Sequence, residues 1–297
     1  MSSETDTKKL LLVDGSGYIF RAFHALPMLT RTDGTPVGAV RGYMSMMLKL
    51  LEGHKSDYLA VIFDAKGPTF RKEIYDAYKA NRPPPPEELV PQFSLVRDAT
   101  RALNIHQVEL TGFEADDLIA TYAKLGKEQG LEVVVVSSDK DLMQLVGDGV
   151  TMLDPMKNRS IDIPEVNEKF GVNPDRVVDV QALAGDSVDN VPGVPGIGIK
   201  TAALLINEYG DLDTLLERAG EIKQNKRREN LIEFADMARV SRDLVRLKDD
   251  IEGIDAIEEF VVRDPDSGEL ATFLEEMEFK SIAERIGMNI NMPTAQS

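Results

Sequence analysis

EVVVVSSDKD, residues 132–141, decides the fold. Four consecutive valines leave no polar face for solvent, so the strand is buried on both sides, as in a parallel sheet covered by helices. Two carboxylates, Asp139 and Asp141, follow its end. The arrangement recurs upstream. LLLV (10–13) runs into Asp14, YLAVIF (58–63) runs into Asp64, and a short strand at 105–108 leads through a turn to Glu114, Asp116 and Asp117. Between these strands lie stretches with apolar residues at helical spacing, 37–51, 89–103 and 114–129. Strands alternating with helices build βαβ units.

The strand signal fades near residue 163. Beyond it the spacing predicts helices over 164–170, 174–183, 201–209, 212–219 and 228–247, with the Gly/Pro stretch VPGVPGIGIK (191–200) between two of them. The chain therefore divides into an α/β part, 9–163, and a helical part, 164–290, with flexible ends at 1–8 and 291–297. Segment 66–90 belongs to the first part and closes on four prolines, 83–86, which cannot lie inside a helix.

Hydrophobic residues make up 42% of the 297, enough for a substantial core, and the absence of cysteine excludes disulfides, thiolate nucleophiles and Cys-ligated metals. No apolar run approaches a membrane span, so a monomer in the cytoplasm, without membrane contact, is expected. The net charge of −17 argues against a polyanionic partner only at first sight. Residues 249–277 carry eleven acids and one base, leaving −7 for the other 268 residues. Meanwhile 66–82 holds five basic residues against two acidic, and 223–228 holds Lys223, Lys226, Arg227 and Arg228 with no acid. The acidic stretch is expected to repel a polyanionic partner and keep it on the basic face.

In open α/β sheets the ligand crevice lies beyond the carboxyl ends of the strands. Four strands deliver acid there, and Asp186 and Asp189 of AGDSVDN add a fifth source. Singly, each acid reads as a turn or helix cap. Jointly, nine carboxylates would repel one another and raise their own pKa values. Hard divalent cations relieve that repulsion, and all-oxygen ligation favours Mg²⁺ or Mn²⁺. Two such ions suit phosphodiester hydrolysis. His24, His54 and His106 are scattered and read as ordinary surface or core residues.

Two segments suit phosphate. The turn 193–198 can bring backbone amides to a duplex backbone, with Lys200 and Thr201 opening the next helix. Phe70-Arg71-Lys72, Tyr78-Lys79 and Arg82 interleave rings with cations, Lys79 and Arg82 favouring a functional role, Phe70 and Ile74 a core-facing one.

The motifs LLVDGSGYIFRAFHAL, VIFDAKGPTFRKEIYDAYKANR, GFEADDLIA, VVSSDKDLMQLV and ALAGDSVDNVPGVPGIGIKTA resemble the 5′-nuclease domain of bacterial DNA polymerase I, within the flap-endonuclease superfamily. The resemblance runs from about Lys8 to Met288. It implies a PIN-like parallel-sheet nuclease core, with 66–90 as an arch, joined to a helix-hairpin-helix DNA-binding region. It implies a 5′-3′ exonuclease and flap endonuclease acting in primer removal and repair on DNA with flaps, nicks or RNA primers. By the same resemblance Asp14, Asp64, Glu114 and Asp116 look like ligands of one Mg²⁺, with Mn²⁺ as a substitute. Asp139, Asp141, Asp186 and Asp189 look like holders of the second, and Asp117 an outer partner. Lys79 and Arg82 match arch residues at the scissile phosphate, with Arg71 and Tyr78 beside them as DNA contacts, and Phe20 an aromatic near the reacting nucleotide. Gly193, Gly196, Gly198, Lys200, Thr201, Lys226 and Arg227 are the expected duplex contacts, with K⁺ on the hairpin carbonyls. Polymerase domains of a longer chain are an expected partner. A PIN-like ribonuclease and an inactive DNA-binding scaffold are the alternatives.

Overall fold

The structure, a computed structural model, describes residues 7–290. The flexible ends expected at 1–8 and 291–297 lie outside the described residues, apart from 7 and 8. Six strands, β1 (Lys9–Asp14), β2 (Tyr58–Ile62), β3 (His106–Val108), β4 (Glu132–Val136), β5 (Val150–Asp154) and β6 (Arg159–Ile161), form one sheet in the order β3-β2-β1-β4-β5-β6. Neighbours are parallel except β5 and β6.

The valine-rich strands are apolar throughout because the sheet has a core on each face. Leu10, Leu12, Ala60, Ile62, Val133 and Val135 point into one core. Leu11, Val13, Leu59, Val61 and Val136 point into the other. In the first half of the chain the helices are α1 (Gly15–Ala25), α2 (Gly38–Gly53), α3 (Arg71–Ile74), α4 (Gln92–Ala102) and α5 (Ala115–Glu128). The second half adds α6 (Ile163–Phe170), α7 (Val177–Ala184), α8 (Ile199–Tyr209), α9 (Leu212–Glu217), α10 (Asn225–Glu233), α11 (Ala235–Val245), α12 (Ser267–Glu276) and α13 (Lys280–Arg285). Helix α5 and the helices α6–α10 share the first core. Helices α1, α2, α4, α12 and α13 cover the second.

Three elements depart from the pattern read in the sequence. Helix α1 begins with GSG, poor helix formers, yet it forms because Asp14 caps it, accepting from Gly17 N–H at 2.7 Å, and because Tyr18, Ile19 and Ala22 are buried. The β5–β6 pair extends the sheet where no strand is expected; β5 is set by parallel pairing with β4, and β6 by antiparallel pairing with β5. The helix expected over 228–247 is two helices meeting at Phe234, although Phe234 N–H still donates to Asn230 O and Ala238 N–H to Phe234 O across the joint.

The acidic stretch 249–277 is a strap. It anchors Ile251, Ile257 and Phe260 in the first core, crosses the β3 edge, where Asn104 Nδ2 donates to Asp264 O at 2.9 Å, and anchors Leu270, Phe273 and Leu274 in the second.

Strand order reverses at β1, which lies between β2 and β4. The crevice expected at such a switch point opens at the carboxyl end of β1, at Asp14.

Candidate active site

A cleft of about 200 Å³ at that edge is lined by Asp14, Asp64, Glu114, Asp116, Asp139, Asp141, Asp186 and Asp189, together with Phe20, Arg71, Tyr78, Lys79 and Arg82. Eight of the nine acids singled out in the sequence thus meet in one place. Several also serve as the caps and turns that their local context suggests, so the two readings coexist. Asp14 accepts from Gly17 N–H and from Ser137 Oγ at 2.8 Å. Asp64 Oδ1 accepts from Ala115 N–H at 2.8 Å, which ties the end of β2 to the start of α5. Asp139 Oδ1 accepts from Asp141 N–H at 2.9 Å. Asp186 Oδ1 accepts from Val188 N–H at 2.7 Å.

Besides Asp14, four acids meet side-chain donors. Glu114 lies 2.7 Å from Lys79 Nζ and accepts from Tyr78 Oη at 3.1 Å. Asp189 accepts from Arg82 Nε at 2.9 Å. Asp186 pairs with Lys140, and Asp141 accepts from the amide of Gln181. Lys140 and Gln181 are the functional neighbours that sequence reasoning missed. Within Asp139-Lys-Asp141 the lysine suggests a local pair, but its partner is 46 residues away.

No donor reaches the Asp116 carboxylate among the described residues; burial and the negative charges of Asp139, Asp14, Asp64 and Glu114 push its pKa well up. Burial likewise pushes Asp14 and Asp141 up to about 6, against the lowering effect of their hydrogen-bond donors. Asp186 is the contrast. Burial alone would raise it, but Lys140 and the amides of Val188 and Asp189 hold it below the usual range. Crowded carboxylates of raised pKa, with oxygen the only donor atom, fit hard divalent cations.

A raised carboxyl pKa means that the fold binds the proton more tightly than the unfolded chain does. The associated stability is present below the ordinary carboxylate range and is lost as pH rises from about 4 through about 6. In EDTA, Asp141→Asn lacks one of these titrations, so its melting temperature is expected to gain on the wild type by several degrees between pH 4 and pH 7. A constant difference over that window would contradict the shift.

Four expected contacts have other roles. Arg71 borders the cleft but is 1% exposed, its guanidinium committed to a two-point pair with Asp117, both bonds 2.7 Å. Asp117, 0% exposed, is accordingly no part of the cleft lining. Its other bonds go to the amides of Glu114 at 3.1 Å and Lys248 at 2.9 Å. Tyr78 is buried among Val191, Leu244 and Val245, so its ring offers no stacking face; burial and Glu114 hold its hydroxyl protonated. Segment 70–82 is helical for only one turn, α3, and Ile74 remains exposed instead of facing the core.

Gly193 is the fourth. It is buried with φ 62, and a Cβ there would lie 2.5 Å from Gly185 N. Its N–H donates to Ser241 Oγ at 2.9 Å, so this glycine permits a close backbone crossing and has no amide free for phosphate. Gly196, Gly198 and Lys200 are exposed at the turn leading into α8, Thr201 half-buried, and Lys226 is exposed near Arg227 on α10. Asn230 braces the turn, its Nδ2 donating to Pro195 O at 2.7 Å. Phe20, 42% exposed, stands at the cleft wall with its edge towards Phe93.

Outside the cleft, half-buried His106 and exposed Asp255 and Glu259 form a trio with ligand atoms within 4.8 Å of one another. No helix among the described residues is long and apolar enough to cross a membrane.

The class emerges from comparison with known proteins. The model of the 5′-3′ exonuclease N-terminal, resolvase-like domain matches residues 9–171, and that of the 5′-3′ exonuclease C-terminal SAM fold matches residues 172–268. The chain belongs to the 5′-3′ exonuclease family. It is 59% identical to DNA polymerase I of Rhizobium leguminosarum over 93% of this chain and 28% of that protein. It is 40% identical to the thermostable DNA polymerase I of Thermus aquaticus over 94% of this chain and 33% of that protein. The chain therefore spans a third or less of the polymerases it matches. Among solved structures, the T5 D15 protein co-crystallised with metal ions has TM-score 0.71 and 25% identity, over 81% of this chain and 90% of that one. The catalytic core of Rad2 with DNA substrate has TM-score 0.63 and 16% identity, over 94% and 91%, and shares the fold.

Proposed function

We propose that the cleft hydrolyses phosphodiesters near 5′ single-strand/duplex junctions in DNA, at flaps, nicks and RNA primers, using two Mg²⁺ ions. The observation that carries this is the convergence of eight acids from five loops on one cleft that Lys79, Arg82 and Phe20 also line. Asp14, Asp64, Glu114 and Asp116 would hold one ion, and Asp139, Asp141, Asp186 and Asp189 the other. When bound, such ions activate water and neutralise the attacking and leaving oxygens, Mn²⁺ serving in place of Mg²⁺.

The chain's own residues supply the rest. Lys79 and Arg82 balance charge on the scissile phosphate. Phe20 offers a ring to an unpaired base. Gly196, Gly198, Lys200 and Thr201, with Lys226 and Arg227, hold the duplex backbone without reading its sequence, K⁺ on the free hairpin carbonyls assisting. The division at residue 163, a monomeric state, a cytoplasmic location and attachment to polymerase domains belong to the same reading, as does repulsion of DNA by the strap.

The test is cleavage of an end-labelled 5′-flap duplex beside matched single-stranded DNA, blunt duplex and single-stranded RNA, with Mg²⁺ or EDTA. Mg²⁺-dependent cutting at the junction, lost in Asp141→Ala/Asp189→Ala while duplex binding persists, is the expected result. Flap binding without cutting would mean an inactive scaffold. Preferred cutting of single-stranded RNA would mean a ribonuclease.

A further inference from the structure

The base of the arch segment and the AGDSVDN loop are stitched together across the cleft. Asn190 Nδ2 donates to Ala77 O at 2.7 Å. Lys79 N–H donates to Asp189 O at 2.8 Å, and Asn81 Nδ2 donates to Ser187 O at 2.8 Å. The stitches run both ways, two from the arch base and one back to it. Both segments also leave ordinary backbone geometry at the same place. Lys79 has φ 55 and Asn190 has φ 58, the left-handed region that asparagine tolerates and lysine seldom enters. A residue persists there only when its surroundings over-determine it, and such residues gather at functional sites. Here the stitches are those surroundings. They leave Lys79 Nζ 2.7 Å from Glu114 and 3.8 Å from Asp189, and Arg82 on Asp189.

We propose that Asn190 is a positioning residue: by capturing the Ala77 carbonyl it holds the 77–82 turn so that Lys79 and Arg82 point into the acid cleft. The inference rests on the reading of those two cations as phosphate-handling groups. Asparagine suits position 190 on two counts. It adopts the left-handed conformation readily, and its amide supplies a donor that a carboxylate of the same shape lacks. The AGDSVDN loop and the arch base come from parts of the chain more than 100 residues apart, so the stitches also register the helical half against the sheet.

The experiment is a double-mutant cycle. Asn190→Gly keeps the left-handed backbone and removes only the amide; Asn190→Asp keeps the shape and removes the donor. Both are expected to slow single-turnover flap cleavage about 10–100-fold, as misplacement of catalytic groups does, with duplex affinity and melting temperature nearly unchanged. In a Lys79→Ala background Asn190→Gly is expected to cost less than in the wild type, because the part of its effect that passes through Lys79 is already lost. Cleavage at the wild-type rate, or the full loss recurring in the Lys79→Ala background, would overturn the proposal. Should Asn190→Gly not fold, Asn81→Ala removes a second, exposed stitch and is read in the same cycle with the same criteria.

Tryptic cutting of the Lys79–Ala80 bond reports the clasp independently of catalysis and is expected to be several-fold faster in Asn190→Gly. Unchanged resistance there would also overturn the proposal. If the wild type cuts no nucleic acid while resistance still depends on Asn190, the clasp exists but the nuclease reading fails, and the positioning role fails with it.

Discussion

Asp116→Ala is expected to lower single-turnover cleavage of a 5′-flap duplex by at least about 10³-fold, the rate equivalent of the several kcal/mol that bound divalent ions contribute to such a transition state. The same substitution is expected to raise the melting temperature in EDTA. The two signs come from one cause. Asp116 lies among Asp139, Asp14, Asp64 and Glu114, whose charges together with burial make its ionised form costly to the fold. No donor among the described residues compensates it, so removing the carboxylate relieves repulsion and leaves no orphaned partner among them. A residue kept for stability would lose stability on truncation; a residue kept for chemistry can gain it. Thermal unfolding in EDTA and a single-turnover assay in Mg²⁺ read the two effects separately. Retained cleavage would remove Asp116 from the catalytic set, and a lowered melting temperature would show that the carboxylate has a structural partner.

Arg71→Ala has the other large effect, on stability. It leaves Asp117, 0% exposed, as an uncompensated buried charge and frees the carbonyls of Leu244 and Arg246, which accept from Arg71 at 2.7 and 3.1 Å. Breaking a buried pair in this way costs about 3–5 kcal/mol, or roughly 10 °C in melting temperature for a chain of this size. Arg71→Met/Asp117→Leu removes both charges together and is expected to lose much less. A phosphate contact would behave in the opposite manner. Its truncation would barely move the melting temperature and would reduce the salt dependence of DNA binding by about one counterion. Differential scanning calorimetry of the single and double variants, beside salt titrations of duplex binding, distinguishes the two roles.

This pair also explains why the acid pattern is only partly legible in the sequence. Asp116 and Asp117 are adjacent in a motif, and spacing alone cannot separate them. On α5 they lie about 100° apart around the helix axis, so one faces the cleft and the other the interior. The role of each is then set by what meets it there. For Asp117 it is a guanidinium from α3; for Asp116, four other acids. The same holds for the glycines of 193–198. All three look alike as turn formers, yet Gly193 is the one pressed against the Gly185 backbone, a contact made only when α7 and the hairpin come together. Lys140 lies inside VVSSDKDLMQLV and Gln181 just before ALAGDSVDN, yet both are recognised only through the acids they bond, Asp186 and Asp141.

By itself the sequence determined the parallel sheet, its two-sided core and the edge on which the acids gather. These follow from short-range regularities: unbroken Val/Leu/Ile runs demand burial on both faces, and an acid placed just after a strand must emerge at the carboxyl end. Only the tertiary structure decided which acids face the cleft, which cations answer them and how the arch base is held. Those roles depend on distances between groups 35–113 residues apart, as in Lys79 with Glu114 or Asn190 with Ala77. Hydrogen bonds and ion pairs act over a few ångströms, and no spacing along the chain encodes such proximity until the helical half has packed against the sheet.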